Sequence, residues 1–248
     1  MDITQEIRST KMDRSNLRLT EDYLARIQEI LKKRNNGEGI SDYDYCKRAV
    51  PESRIRDAQA SLPDAGVSLR DCAILDGDSF KDTPSVSAVK NFLKQPRETW
   101  CLVLAGQPGR GKSIAAAYWL KRLAYDWIVE KFEDGEENMG QRSIFTGQHW
   151  WSAQEVSRVS SRDAVLSTLM NRNNIVIDDL GTEYLDTKGH TLHRFDELIT
   201  RRYSNYKRTI ITTNLNMEGF KKRYGARIFS RIGDGGIFHG VTGESLRG

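Results

Sequence analysis

Gly106-Gln107-Pro108-Gly109-Arg110-Gly111-Lys112-Ser113 constrains this chain more than any other stretch. The apolar run from Trp100 to Ala105 precedes it, and Ile114-Ala-Ala-Ala-Tyr118 follows. A G-x-x-x-x-G-K-S pattern between a strand and a helix start is the signature of a phosphate-binding loop. Its glycines let the backbone turn so that successive N–H groups face one concavity, and the helix start adds the positive end of its dipole. Lys112 then neutralises charge on the β- and γ-phosphates, and the Ser113 hydroxyl can ligand Mg²⁺. The spacing therefore predicts a nucleoside triphosphate site for ATP and Mg²⁺ built on Gly106 through Ser113.

Such a loop needs an acid to hold the metal and a group to orient water. Ile175-Val-Ile-Asp178-Asp179 reads as a buried strand that delivers two carboxylates at its C-terminal end. Asp178 is expected at the Mg²⁺, directly or through water, and Asp179 as the general base on the attacking water. Asn214 ends another apolar strand, Arg208 to Thr213. There its amide can position water without adding charge, although Asn at a strand end is also a common turn former. Arg227 and Arg231 stand four apart on one helical face. They fit either an ordinary solvated face or a pair reaching the γ-phosphate of a neighbouring subunit. Between Arg194 and Arg231 there are ten Lys or Arg against three acids, a local excess suited to a phosphate backbone.

At 248 residues the chain is long enough for one large domain, or for one domain and a small extension. A net charge of +4 permits nucleic-acid contact without demanding it. Cys46, Cys72 and Cys101 are odd in number and widely spaced, which predicts reduced thiols and no zinc site. Neither a signal-peptide core nor a run of 18 apolar residues is visible, so a soluble, cytoplasmic protein without membrane contact is expected.

Residues 1–19 lack apolar periodicity. From a Thr20 N-cap, Leu24, Ile27, Ile30 and Leu31 recur at helical spacing, and Asn35-Asn36-Gly37 stops the helix. Ser41 caps a second short helix, and Pro51 and Pro63 bracket a third segment. Residues 1–70 thus read as a small helical extension, either a lid or a partner-docking module, before a main domain over 71–248. Within that domain, Thr83-Pro84 starts a helix with Val86, Val89, Phe92 and Leu93 on its buried stripe. Further strands are expected at 142–146, 174–179, 208–214 and 236–242. Helices are expected at about 112–129, twice between Ala153 and Met170, on Leu192 to Tyr203, and in two short pieces at 217–224 and 226–232. Alternating strands and helices predict an α/β fold, a parallel sheet flanked by helices with ligands at the strand C-terminal ends.

Gly106–Ser113, Ile177-Asp-Asp-Leu-Gly-Thr-Glu183, Ile199-Thr-Arg-Arg-Tyr203, Ile210-Ile-Thr-Thr-Asn214, Arg223-Tyr-Gly225, Arg227-Ile-Phe-Ser-Arg231 and Gly243-Glu-Ser-Leu-Arg247 occur in this order. From about residue 50 onward this set resembles the DnaC-type helicase loaders and the related IstB-type transposition helpers of the AAA+ ATPase superfamily. The resemblance implies an ATPase whose nucleotide site is shared between adjacent subunits. It assigns Lys112, Ser113 and Asp178 to phosphate and Mg²⁺, Asp179 to the catalytic acid, and Asn214 to the sensor 1 position. It likewise assigns Arg231 to the arginine finger and Arg247 to the sensor 2 arginine. The implied partners are a replicative DnaB-type helicase, gripped by the N-terminal extension, and single-stranded DNA. The alternative is a transposition helper that assembles on target DNA and recruits a transposase. A metabolic phosphoryl-transfer kinase would lack an acceptor site here and leave Arg227 and Arg231 unexplained.

Overall fold

A computed structural model describes residues 56–57, 60–77, 80–133, 145, 147–159, 163–243 and 245–246. The chain divides into two compact units, residues 1–59 with 125–142, and residues 60–124 with 143–248. In the first unit the described residues are 56, 57 and 125–133, the latter being the final turns of a helix. The helices expected from Thr20 and Ser41 lie outside the described residues.

The second unit is built on a five-stranded parallel sheet. Its strands are β1 (Cys101–Ala105), β2 (Trp150–Ser152), β3 (Asn174–Leu180), β4 (Arg208–Thr213) and β5 (Gly236–Gly240), in the order β2-β3-β4-β1-β5. The helices are α1 (Leu69–Asp76), α2 (Pro84–Leu93), α3 (Lys112–Glu133), α4 (Ala153–Val159), α5 (Asp163–Asn171), α6 (His190–Ser204) and α7 (Met217–Gly233). Successive strand residues face opposite sides of a sheet. Cys101, Val103, Ile175, Ile177 and Ile211 accordingly enter one core with apolar residues of α4, α5, α6 and α7. Their neighbours Leu102, Leu104, Val176 and Ile210 are also fully buried. On α2 the Thr83 hydroxyl accepts from the Val86 N–H, Pro84 opens the first turn, and Phe92 meets Trp119 of α3 at 6.1 Å between ring centres. This is the parallel α/β sheet that the alternation of elements predicts.

Two local readings differ from expectation, and one is met. The strand after α3 is Trp150–Ser152; of the stretch 142–146 only Phe145 is described, and it lies in no strand. The two short helices expected at 217–224 and 226–232 are present, parted at Gly225, whose φ of 87° is not helical. Residues 60–70 pack into the second unit. Leu62, Ala65 and Val67 are buried, and the Ala65 carbonyl accepts from His149 N and Trp150 N, both at 2.8 Å. The boundary expected at residue 70 therefore falls inside a packed segment.

Arg202 is a further difference. It belongs to the basic tally of 194–231, yet it is fully buried. Its Nε donates to Thr209 Oγ1 at 2.7 Å, and its Nη atoms donate to the carbonyls of Leu169, Arg172, Asn173 and Arg208. One guanidinium thus ties the end of α5 to the starts of β3 and β4. Burial strips the guanidinium of water and pushes its pKa down to about 9. Arg202→Ala should destabilise the fold by about 3–5 kcal/mol, since it strands several buried acceptors at once. Denaturant unfolding checks this; a loss under about 1 kcal/mol would mean that the carbonyls find other partners.

Candidate nucleotide site

The loop after β1 is held from three sides. Gly106 N donates to the Thr213 carbonyl at 3.1 Å, the Ser85 hydroxyl donates to the Arg110 carbonyl at 2.9 Å, and Leu246 N donates to the Gly109 carbonyl at 2.8 Å. A Cβ on Gly106 would stand 2.5 Å from the Val241 carbonyl oxygen, so a side chain there would push β5's exit away. Gly109 and Gly111 take left-handed φ values of 82° and 75°. The loop borders a cleft of about 400 Å³ that also meets Asp179 and Asn214.

β4 lies between β1 and β3, and that order brings three strand ends together. Lys112 is buried, and its Nζ donates to the carbonyls of Gly106 (2.7 Å) and Gln107 (3.0 Å) and to Asn214 Oδ1 (2.9 Å). Ser113 Oγ donates to Asp178 Oδ1 at 2.9 Å. The same carboxylate oxygen accepts from Thr212 Oγ1 at 2.5 Å. Burial pushes the Asp178 carboxyl above the ordinary range, and the hydroxyls of Thr212 and Ser113 hold it back. A desolvated carboxylate beside a serine hydroxyl is a donor set that fits Mg²⁺, a hard cation with oxygen ligands.

Two consecutive residues of a regular strand point to opposite faces, so Asp178 and Asp179 cannot both reach the cleft from an ideal β3. The pairing of β3 with β4 shifts register between Ile177 and Leu180, and Asp179 takes a φ of 56°. That left-handed backbone is uncommon outside glycine and is best tolerated by Asn and Asp. Thr212 holds it, its Oγ1 accepting the Asp179 N–H at 2.9 Å. One hydroxyl therefore serves both acids.

Of the expected site residues, Gly106–Ser113, Asp178, Asp179 and Asn214 come together at these strand ends. Arg227 and Arg231 do not line the cleft. They face α6, where Arg231 Nη1 pairs with Asp196 Oδ1 at 2.6 Å and Arg227 Nε lies 3.4 Å from Asp196 Oδ2. Arg247 lies outside the described residues. Sequence reasoning missed Thr212, one of three threonines in β4 that nothing in the sequence tells apart. It also missed Arg70, Asp71 and Ile74 of α1, which line the cleft opposite the loop. The basic tally needs correction as well. Arg202 is buried, Arg223 pairs with Glu183, Arg227 and Arg231 share Asp196, Arg194 meets Glu197, and Arg208 lies over the Phe92 ring. Arg201, Lys207, Lys221 and Lys222, together with the half-buried Arg208, are the cations of this stretch that are neither fully buried nor paired with an acid among the described residues.

No family model and no curated protein matches the chain. Among solved structures it is similar to the DnaC helicase loader, at 20% identity over 66% of this chain and 95% of that one, with a TM-score of 0.45. It is similar to DnaI at 20% identity, 70% and 89% coverage, and a TM-score of 0.45. It is also similar to the replication initiator DnaA bound to AMPPCP and single-stranded DNA, at 16% identity and a TM-score of 0.44, covering 65% of this chain and 46% of that one. These are similarities of fold. Among the described residues no helix is long and apolar enough to cross a membrane, and no group of three or more His, Cys, Asp or Glu side chains is arranged to hold a metal.

Proposed function

We propose that the chain is an Mg²⁺-dependent AAA+ ATPase of the helicase-loader type. The convergence of Lys112, Ser113, Asp178 and Asn214 at the ends of β1, β3 and β4 carries this reading. Lys112 exchanges its loop carbonyls for β- and γ-phosphate oxygens, which complete its hydrogen bonds with opposite charge. Ser113 and Asp178 hold Mg²⁺, which when bound neutralises charge on the phosphoryl oxygens. Asp179 takes the proton of the attacking water, and Asn214 orients that water. Arg231, with Arg227 beside it, acts on the site of a neighbouring copy, and Arg247 contacts the nucleotide from the C-terminal segment. Single-stranded DNA is held through Arg201, Lys207, Lys221 and Lys222, which pair with no acid among the described residues.

The replicative helicase docks on the extension that precedes the packed segment at Leu62. A truncation that leaves the ATPase unit whole therefore removes residues 1–59 rather than 1–70. Co-precipitation with a DnaB-type helicase tests the assignment: the full chain should capture it with ATP present, and the truncated chain should not while keeping its ATPase rate. Capture of a transposase in place of the helicase would favour the transposition-helper reading. Unchanged helicase capture by the truncation would move the docking surface into the ATPase unit.

A further inference from the structure

The chemistry above makes no use of Glu183, a charged residue only 5% exposed. Its two carboxylate oxygens serve different elements. Oε2 accepts the Gly181 N–H at 2.7 Å, in the loop that leaves β3 directly after Asp178 and Asp179. Oε1 accepts from α7, from Tyr224 OH at 2.6 Å and from Arg223 Nη2 at 3.1 Å and Nε at 3.2 Å. Arg223 Nη2 donates to the Glu183 carbonyl as well.

Tyr224 is confined by ring contacts, 5.2 Å from Phe195 and 4.7 Å from Phe220. Burial, together with the Glu183 charge, pushes the Tyr224 hydroxyl up, so it remains a donor throughout the physiological range. Tyr224 immediately precedes the break at Gly225, and Arg227 and Arg231 follow on the same element. A buried ion pair is weak ground for stability, because well-packed apolar groups often replace one without loss. What the Glu183 carboxylate supplies that apolar packing cannot is a directional tie between the exit of β3 at Gly181, two residues after Asp179, and the element carrying the arginines.

We propose that Glu183 is a positioning residue that sets Asp179 and the α7 arginines together, so that one carboxylate governs a chain's own catalytic acid and the finger it offers to its neighbour. This rests on the reading of the site as an ATPase shared between copies. Glu183 touches neither nucleotide nor water in it. Filling the cleft shifts the β3 exit loop, and the shift is passed to α7 through Gly181, Glu183 and the Arg223–Tyr224 pair.

Mixing experiments on the full-length chain test the tie. Glu183→Ala should bind a fluorescent ATP analogue within about threefold of the parent, because Lys112 and its loop are untouched, and should hydrolyse ATP at least about tenfold more slowly, the scale expected when a hydrogen bond to a charged group is lost. A chain impaired in both site and finger cannot be complemented from either side. Glu183→Ala mixed with Asp179→Asn, and separately with Arg231→Ala, should therefore recover no activity. Recovery in either mixture would overturn the proposal, since Glu183 would then act on one element alone. Recovery between Asp179→Asn and Arg231→Ala is the control, and its absence would overturn the shared-site reading instead. If Glu183→Ala fails to bind the analogue, Tyr224→Phe replaces it, removing a single hydrogen bond and no charge. The same pattern with a rate loss of about threefold or more supports the tie; a parental rate overturns it.

Discussion

Arg231→Ala is expected to bind ATP with the affinity of the parent chain and to hydrolyse it about 10³-fold more slowly once assembled. An arginine supplied by a neighbour stabilises charge that develops only in the transition state, and in well-studied cases it contributes roughly 10³–10⁵-fold. Its loss therefore leaves ground-state binding alone. Arg231 is not among the residues lining the cleft bordered by Gly109–Ser113, and its guanidinium pairs with Asp196 of α6 at 2.6 Å. The ATPase rate per chain should accordingly rise with protein concentration or on a DNA scaffold, and Arg231→Ala should lose that rise. Asp179→Asn keeps its finger but has a dead site, whereas Arg231→Ala has a sound site and no finger. Mixed, the two should recover part of the activity each lacks. No recovery in a mixture shown to co-assemble would mean that Arg231 acts within its own chain or only on the surface.

The second large effect is on binding. Lys112→Ala should weaken ATP·Mg²⁺ binding by about 30- to 3000-fold, because removing one partner of a buried, hydrogen-bonded charge pair costs about 2–5 kcal/mol, at roughly 1.4 kcal/mol per factor of ten. The ammonium is held by the carbonyls of Gly106 and Gln107 and by Asn214. Asp179→Asn should by contrast bind normally and lose turnover, because Lys112 keeps its contacts with Gly106, Gln107 and Asn214 in that variant. Equilibrium titration with a fluorescent ATP analogue separates the two variants. Equal affinity of Lys112→Ala and the parent would remove the nucleotide assignment altogether.

Several parts of the site were legible because they are local. The phosphate loop needs eight contiguous residues between an apolar strand and a helix start, and Thr83-Pro84 caps its helix through neighbours in sequence. Asn214 was legible as a strand end. Its contact with Lys112 follows from β4 lying between β1 and β3, which no residue of β4 announces. The three-residue strand Trp150–Ser152 was missed because so short a segment carries no alternation to read.

By itself the sequence determined the phosphate loop, the carboxylates that follow an apolar strand, and the alternation of strands and helices that requires a parallel sheet with covered faces. Each depends on interactions within about ten residues. Only the tertiary structure decided that the tandem acids both stand by the phosphate loop, where a register shift and the Thr212 hydroxyl of another strand accompany the left-handed backbone of Asp179. It also decided which arginines are surface charges. Arg201 and Arg202 are adjacent and identical in type, yet one is exposed and the other is fully buried among carbonyls from α5, β4 and the residues before β3. Burial is a property of what packs against a helix face, and those partners lie 30 or more residues away along the chain for Leu169 and Arg172.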